Sequence, residues 1–277
     1  MTISEFAPAK VNLFLHVLGR RPDGYHDLDS LVAFADVGDV VEVSADDAFS
    51  ISVEGRFADR TPDDDDNLAL QAARALGAAL GIEAGVRIRL TKNLPVAAGI
   101  GGGSADAAAV LRGLARMWQV GPSLAFPDTA ASLGADVPVC LLSRPARLSG
   151  VGDAAPETLP EALHLVLANG GQAVSTADVF RTTSTYGPAA PPRRGEPFVD
   201  WLRGQRNDLE RAALTLAPTI GTTLEALRAS AGCLLARMSG SGATCFGLFA
   251  DAAAATKAAA NLGNHHPDWW VASTTAR

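Results

Sequence analysis

The sequence predicts an α+β fold in two lobes, residues 1–150 and 151–277. Three observations predict it. Runs of β-forming residues alternate with alanine- and leucine-rich helical stretches in both halves. The second half reads strand, helices, strand–turn–strand, helix, the order of an α+β sandwich. Between the halves, residues 148–153 carry Gly150 and Gly152, which predicts a crossing point there.

The elements follow in order. Residues 11–17 alternate in part and are rich in β-formers, so they predict the first strand. Arg20, Arg21, Pro22, Asp23 and Gly24 make a turn by composition. Strands are predicted over 39–43 and 51–53. An acidic run at 63–66 suits the start of a helix over 67–76, with Asp66 or Asn67 as its cap. Residues 86–90 alternate as a strand and lead through Lys92, Asn93 and Leu94 into a glycine loop. A helix runs from that loop to about residue 118, a second spans 123–133, and residues 134–138 open the next element. In the second half, 163–167 read as a buried strand and 187–197 as a mobile loop rich in Pro, Gly and Arg. Helices are predicted at 207–216, 223–229 and 252–262, and strands at 234–238 and 244–249.

Composition narrows the function. A net charge of −7 opposes nucleic acid as the main partner, because phosphate backbones demand clustered Lys and Arg. An anionic ligand must instead be held by positive groups placed locally. Cys140, Cys233 and Cys245 form no CxxC pair, which predicts thiols in a reducing cytosol over disulfides or a zinc site. The N-terminus lacks the basic flank and apolar core of a secretory signal, and no apolar run approaches the roughly 20 residues of a membrane span. A cytoplasmic protein with no membrane partner is the expectation.

The most informative stretch runs from Pro95 to Asp106. Ala98, Gly99, Ile100, Gly101, Gly102, Gly103 and Ser104 precede an alanine-rich helix. Glycines let backbone N–H groups converge on one point, and the first turn of a helix adds unpaired donors and positive dipole. Both suit the phosphates of a nucleotide. Walker A would require Lys after its last glycine, where Ser104 stands; the dinucleotide fingerprint would require a third glycine there. A plain flexible turn before a helix is the competing reading.

Three other features are weak alone. Lys10 precedes a strand, where a snorkelling surface lysine is the ordinary case. Asp136, two residues before Pro138, reads as a helix N-cap. The segment Ser239, Gly240, Ser241, Gly242, Ala243, Thr244 is either a hairpin turn or a place where a ligand approaches backbone closely. Beside a phosphate loop they make chemical sense, since phosphoryl transfer to an alcohol needs a carboxylate at the attacking hydroxyl and a cation at the moving charge.

Residues 8–13 (PAKVNL), the loop 95–106 and residues 238–243 (MSGSGA) resemble the three motifs of the galactokinase–homoserine kinase–mevalonate kinase–phosphomevalonate kinase (GHMP) superfamily. Within it, residues 19–28 (GRRPDGYHDL) resemble the family of 4-diphosphocytidyl-2-C-methyl-D-erythritol kinases of the non-mevalonate isoprenoid pathway. Residues 134–138, 176–180 and 207–210 are similar to that family in order and spacing. The resemblance covers essentially the whole chain.

It implies a two-lobed fold, the N-terminal lobe like ribosomal protein S5 domain 2 and the C-terminal lobe a ferredoxin-like sandwich, with ATP and substrate meeting in the cleft. The N-terminal lobe would carry ATP and the catalytic pair, the C-terminal lobe the substrate. It implies ATP as phosphoryl donor, Mg²⁺ on its phosphates, and as substrate a cytidine diphosphate-linked methylerythritol phosphorylated at its C2 hydroxyl. Asp136 would be the base; Lys10 would hold its carboxylate ionised and stabilise charge on the moving phosphoryl group. Pro95 and residues 98–104 would bind ATP. Asn12 would orient the substrate, Tyr25 and Phe180 would sandwich the cytosine, His26 would read its polar edge, and Thr176 with Gly240, Ser241 and Gly242 would add contacts. Without the resemblance, Tyr25 and Phe180 read as ordinary core. Two positions depart from the family pattern: Ala97 replaces a usual glycine, tolerable if φ there is negative, and Ala105 replaces a common serine.

Overall fold

The structure, a computed structural model, describes residues 1–120 and 125–277. Strands and helices mix along the whole chain. The first stretch holds β1 (Thr2–Arg20), β2 (His26–Asp46), β3 (Ser50–Glu54), α1 (Leu68–Leu80) and β4 (Gly85–Thr91). Next come α2 (Gly102–Met117), α3 (Ala125–Leu133), α4 (Val137–Leu142), and the strands β5 (Ala146–Gly150), β6 (Asp153–Pro156) and β7 (Leu163–Asn169). The remainder is α5 (Thr176–Thr182), α6 (Phe198–Arg203), α7 (Glu210–Leu216), α8 (Thr219–Ala229), β8 (Cys233–Met238), β9 (Cys245–Phe249), α9 (Ala252–His265) and β10 (Trp270–Ala276). The helix predicted over 123–133 is α3; Ser123 and Leu124 lie outside the described residues. Among the described residues no helix is long and apolar enough to cross a membrane, and none of the three cysteines forms a disulfide.

The chain forms two compact units. The first comprises residues 1–9, 38–96 and 101–143. In it β3 runs parallel to β4 (Ile51 opposite Ile88), and β4 runs antiparallel to the second half of β2 (Val43 opposite Ile88). Helix α1 packs on α2, and α2 comes close enough to the sheet that a Cβ on Gly113 would meet Val43 at 2.9 Å. Asn67 caps α1 as expected, its Oδ1 accepting from Ala69 N at 2.9 Å.

The second unit comprises residues 10–37, 97–100 and 144–277. Its antiparallel strands run in the order β10, β7, β9, β8, and β10 meets the first half of β2 through Ala276 and Ala35. Helices α7, α8 and α9 contribute Ala213, Leu224, Leu227, Ala258 and Leu262 to one apolar core with Val166, Met238, Cys245 and Phe249. Burial is what makes Leu15 and Val17 of β1 part of that core.

Three expectations change. The first strand is 19 residues long, not seven, and is buried without interruption from Ala7 to Val17. A strand covered on both faces shows no alternation, so periodicity underestimates it. Residues 148–153 are a hairpin, with Ser149 opposite Asp153 and Gly152 N donating to Ser149 O at 3.0 Å. Its glycines serve the turn (φ 58° and 129°).

The front of the 187–197 segment, residues 187–191, is a pinned strap. Gly187 N donates to Val17 O (3.0 Å), Arg206 Nη2 to Pro188 O (3.1 Å), Ala190 N to Asp29 Oδ2 (2.7 Å) and Trp201 Nε1 to Pro191 O (2.9 Å). Arg206 N donates to His16 Nε2 at 3.3 Å, so the imidazole proton sits on Nδ1 and donates to Pro188 O at 3.2 Å. Burial, then the nearby Arg206, lowers the His16 pKa, which keeps that neutral tautomer. Carbonyls of this proline-rich segment carry no ladder, and those of Pro188 and Pro191 accept from side chains.

Candidate active site

In the second unit, three segments far apart in sequence converge on Asn12. Lys10 is 3% exposed, and its Nζ donates to Asn12 Oδ1 at 3.1 Å. Asn12 Nδ2 donates to Ser30 Oγ at 2.8 Å, and Asn12 N to Ser239 Oγ at 3.0 Å. Ser239 Oγ donates on to Gly99 O (3.0 Å), while Lys10 N donates to Ile100 O (2.9 Å) and Thr244 N to Ala98 O (3.0 Å). β1 thus joins the front of the glycine loop and the 239–244 turn in one hydrogen-bonded knot. A buried ammonium with an amide partner is a preorganised positive group, unlike a snorkelling surface lysine.

The 239–244 turn is not a tight hairpin. Met238 pairs with Cys245, which leaves six residues to arch between the strands. Asn207 Nδ2 holds the arch through Met238 O and Gly240 O, both at 2.8 Å, while its Oδ1 accepts from Leu209 N. A Cβ on Gly240 would lie 2.6 Å from Gly99 O, and one on Gly99 would lie 2.5 Å from Ser239 O. Only glycine permits this approach of the two loops. Thr176, at the start of α5, meets the arch through its Oγ1 and Ser241 Oγ, 2.8 Å apart.

Ala97 sits at φ +51°, which overturns the condition under which its methyl was tolerable. A left-handed alanine costs roughly 1–2 kcal/mol, partly offset by the smaller entropy it loses relative to glycine. Ala97→Gly is therefore expected to raise stability by about 0.5–1 kcal/mol, a Tm gain of roughly 1–4 °C. A thermal melt checks it, and a lower Tm would contradict the strain.

In the first unit, α2 starts earlier than the loop's hydroxyl suggests. Gly101 caps it at φ 64°, and Gly102, Gly103 and Ser104 form its first turn. The first bond of the helix is Ala105 N to Gly101 O (2.8 Å), so the N–H groups of residues 101–104 have no helical acceptor. Gly103 is exposed, and outside its own helix backbone nothing lies within 4 Å of the place a Cβ would take. The dipole end of a 16-residue helix lies there, suited to a phosphate.

Beneath that turn lies a buried triad that sequence reading missed. Lys92 Nζ donates to Asp39 Oδ2 (2.6 Å) and Asp106 Oδ2 (2.5 Å), with all three side chains under 5% exposed. Asp39 Oδ1 also accepts from Asn93 N (2.6 Å) and Leu94 N (2.8 Å). Asp106 Oδ1 accepts nothing. Burial raises the Asp106 pKa to about 7, against the opposing pull of Lys92. Burial pulls Lys92 down, but Asp106 and Asp39 outweigh it and leave its pKa above the ordinary value. Two carboxylates share one ammonium, so the surplus proton belongs on Asp106. The only signal in the sequence was a lysine beside a glycine loop and an aspartate inside an alanine helix.

Asp136 occupies the N-cap position of α4, yet its side chain makes no capping hydrogen bond. Its half-buried carboxylate is thus not used as the cap that composition suggests. Pro138 sits in the first turn of that helix, as the sequence implies.

The aromatic residues group around His26. Its ring is 5.2 Å from Phe180 and 6.2 Å from Tyr186, both inclined by about 30°. His26 is 8% exposed, its Nε2 is buried without a partner, and burial, then Arg20, lowers its pKa. Tyr25 stands 61% exposed, held in its turn by a backbone bond to Asp23 Oδ1. Phe180 is half-buried, facing His26.

Comparisons with known proteins give this geometry a family. Residues 67–144 match the model of the GHMP kinases N terminal domain, and residues 194–268 that of the GHMP kinases C terminal. A 4-diphosphocytidyl-2-C-methyl-D-erythritol kinase of Paramagnetospirillum magneticum is 53% identical over 275 residues, 96% of this chain and 95% of that protein. One of Cereibacter sphaeroides is 55% identical, covering 96% of each. A crystal structure of a 4-(cytidine 5'-diphospho)-2C-methyl-D-erythritol kinase superposes with a TM-score of 0.82 at 36% identity, over 99% of this chain and 100% of that one. The homoserine kinase of Cytophaga hutchinsonii shares the fold at 20% identity and TM-score 0.71, over 99% and 95%. The α+β architecture of the two units is shared with that kinase structure, and the chain belongs to the 4-diphosphocytidyl-2-C-methyl-D-erythritol kinase family of the GHMP superfamily.

Proposed function

We propose that this chain transfers the γ-phosphoryl group of ATP to the C2 hydroxyl of 4-diphosphocytidyl-2-C-methyl-D-erythritol, giving the 2-phosphate and ADP in the synthesis of isoprenoid precursors. The observation that carries this reading is similarity along nearly the full chain to kinases of that name. The convergence of Lys10, Asn12, Gly99 and Ser239 supports it chemically.

Phosphoryl transfer asks the protein mainly for positioning and for charge placed in advance. The reading assigns Asp136 to draw the proton from the substrate hydroxyl. Lys10 stabilises negative charge spreading onto the transferred group, and its bond to Asn12 keeps the ammonium aimed. Asn12 orients the alcohol. Pro95 and residues 98–104 bind ATP, the free N–H groups at the start of α2 taking its phosphates. Gly240, Ser241, Gly242 and Thr176 contact the substrate, and Tyr25, His26 and Phe180 take the flat base. In this reading residues 1–150 carry nucleotide and catalysis and residues 151–277 supply the rest of the substrate site.

Mg²⁺ is part of the proposal. Among the described residues no three His, Cys, Asp or Glu side chains are grouped to hold an ion by themselves. That fits a cation carried in on ATP phosphates, since Mg²⁺ keeps waters and needs one or two protein oxygens at most. It would neutralise charge on the phosphates. The acidic balance of the chain supports a small-molecule partner and no nucleic acid, and free thiols at Cys140, Cys233 and Cys245 fit a reducing, cytoplasmic setting.

The test is ADP release with ATP and a panel of alcohols: the cytidine-linked methylerythritol, homoserine and mevalonate. Turnover is expected with the first alone, with a new phosphomonoester in the phosphorus NMR spectrum. Turnover of mevalonate or homoserine instead would overturn the substrate assignment. ATP binding without turnover of any alcohol would make the protein a nucleotide sensor.

A further inference from the structure

We propose that Tyr186 is a specificity-determining residue of the nucleobase subsite, a further aromatic wall held in place by the pinned strap. The inference rests on the functional reading above and adds to it a residue outside the motifs that carried that reading.

The chain has two tyrosines, and both are exposed, Tyr25 at 61% and Tyr186 at 45%. Large apolar rings left in water call for an occupant when they cluster. Tyr186 lies 6.2 Å from His26, inclined by 31°, on the same imidazole that Phe180 approaches at 5.2 Å. His26 is itself more than nine-tenths buried and keeps Nε2 unpartnered, a polar atom enclosed among rings with no protein acceptor or donor. Rings plus one unsatisfied polar edge suit a flat, hydrogen-bonding heterocycle and not an aliphatic chain.

Exposure of Tyr186 is not the exposure of a loose loop. The next residue donates from Gly187 N to Val17 O, and Pro188 O accepts from Arg206 and His16. Arg206 is in turn fixed by Asp208, whose Oδ1 accepts from Nε at 2.6 Å and whose Oδ2 also accepts from Val17 N at 2.8 Å. A Cβ on Gly187 would lie 2.3 Å from Arg206 Nη2, so the backbone beside Tyr186 is seated directly on that guanidinium. Backbone fixed this way limits where the ring can stand, and binding loses little further entropy in ordering that backbone.

Three proteins decide it: wild type, Tyr186→Ala and Tyr186→Phe, each measured for CDP binding by calorimetry and for KM of both substrates. Tyr186→Ala is expected to weaken CDP and raise KM for the cytidine-linked alcohol about tenfold, with KM for ATP within twofold. Tyr186→Phe should stay within twofold of wild type, because the ring and not the hydroxyl makes the wall. CDP binding by Tyr186→Ala equal to wild type, or an equal rise in KM for ATP, would overturn the proposal. Wild-type protein that neither binds CDP nor phosphorylates the cytidine-linked alcohol would instead overturn the functional reading itself.

Discussion

Asp136→Asn is expected to lower kcat by about 10²–10⁴-fold, the usual contribution of a general base. The amide keeps the shape and hydrogen-bonding reach of the carboxylate while losing its capacity to take a proton. KM for ATP and for the alcohol should move little, since the group acts when the hydroxyl proton leaves. The side chain makes no capping bond to α4, so the helix loses no cap and a fall in kcat cannot be charged to a missing one. Steady-state kinetics beside a thermal melt separates the outcomes. A variant that retains near-full turnover removes Asp136 from the reaction, and one that loses both activity and several degrees of Tm reassigns it to the fold.

Lys92→Met should destabilise the protein by roughly 3–5 kcal/mol, the cost of breaking a buried ion pair by removing one partner. For a chain of this size that corresponds to a Tm drop on the order of 10 °C. The methionine fills the volume of the lysine stem but leaves Asp39 and Asp106 facing each other without a cation. The start of α2 should loosen with it, because a Cβ on Gly102 would sit 3.1 Å from Lys92 Nζ and the ammonium therefore backs that turn. A Tm within two degrees of wild type would show that the triad is not a structural support.

The same triad predicts a pH dependence whose sign follows from Asp106. Its folded pKa is raised to about 7, well above the value of about 4 in an unfolded chain. Between those values the folded state binds the extra proton, so the Asp106 contribution to stability is full below about pH 4 and declines up to about pH 7. Asp106→Asn mimics the neutral acid and should flatten that part of the curve. Denaturant midpoints at pH 5.5 and 7.5 measure it, and an unchanged difference in the variant would refute the assignment of the proton.

Local chemistry was legible in the sequence wherever neighbours decide it. The Asn67 cap, the glycine-led start of α2, the 20–24 turn and the β8–β9 pair all follow from a few consecutive residues. Lys10 and Asn12 could be named as candidates because three short motifs resemble those of one superfamily; that Ser239 joins them was visible only in the fold. The double-faced burial of β1 was invisible to alternation. The 187–197 segment reads as mobile because proline and glycine mark irregular backbone, yet distant side chains tie its first five residues, which only the fold could show.

By itself, then, the order of residues determined where the chain turns, which stretches coil into helices, and which types of group are on hand for phosphoryl chemistry. Tertiary structure alone decided that Lys92 neutralises carboxylates 53 and 14 positions away, that Ala97 adopts a glycine-like φ, and that Tyr186 stands beside His26. The physical reason is range. Capping, turns and periodicity are set within a few bonds, whereas the protonation of a buried acid or the aim of an exposed ring depends on whichever distant groups the folded backbone brings within about 3–6 Å.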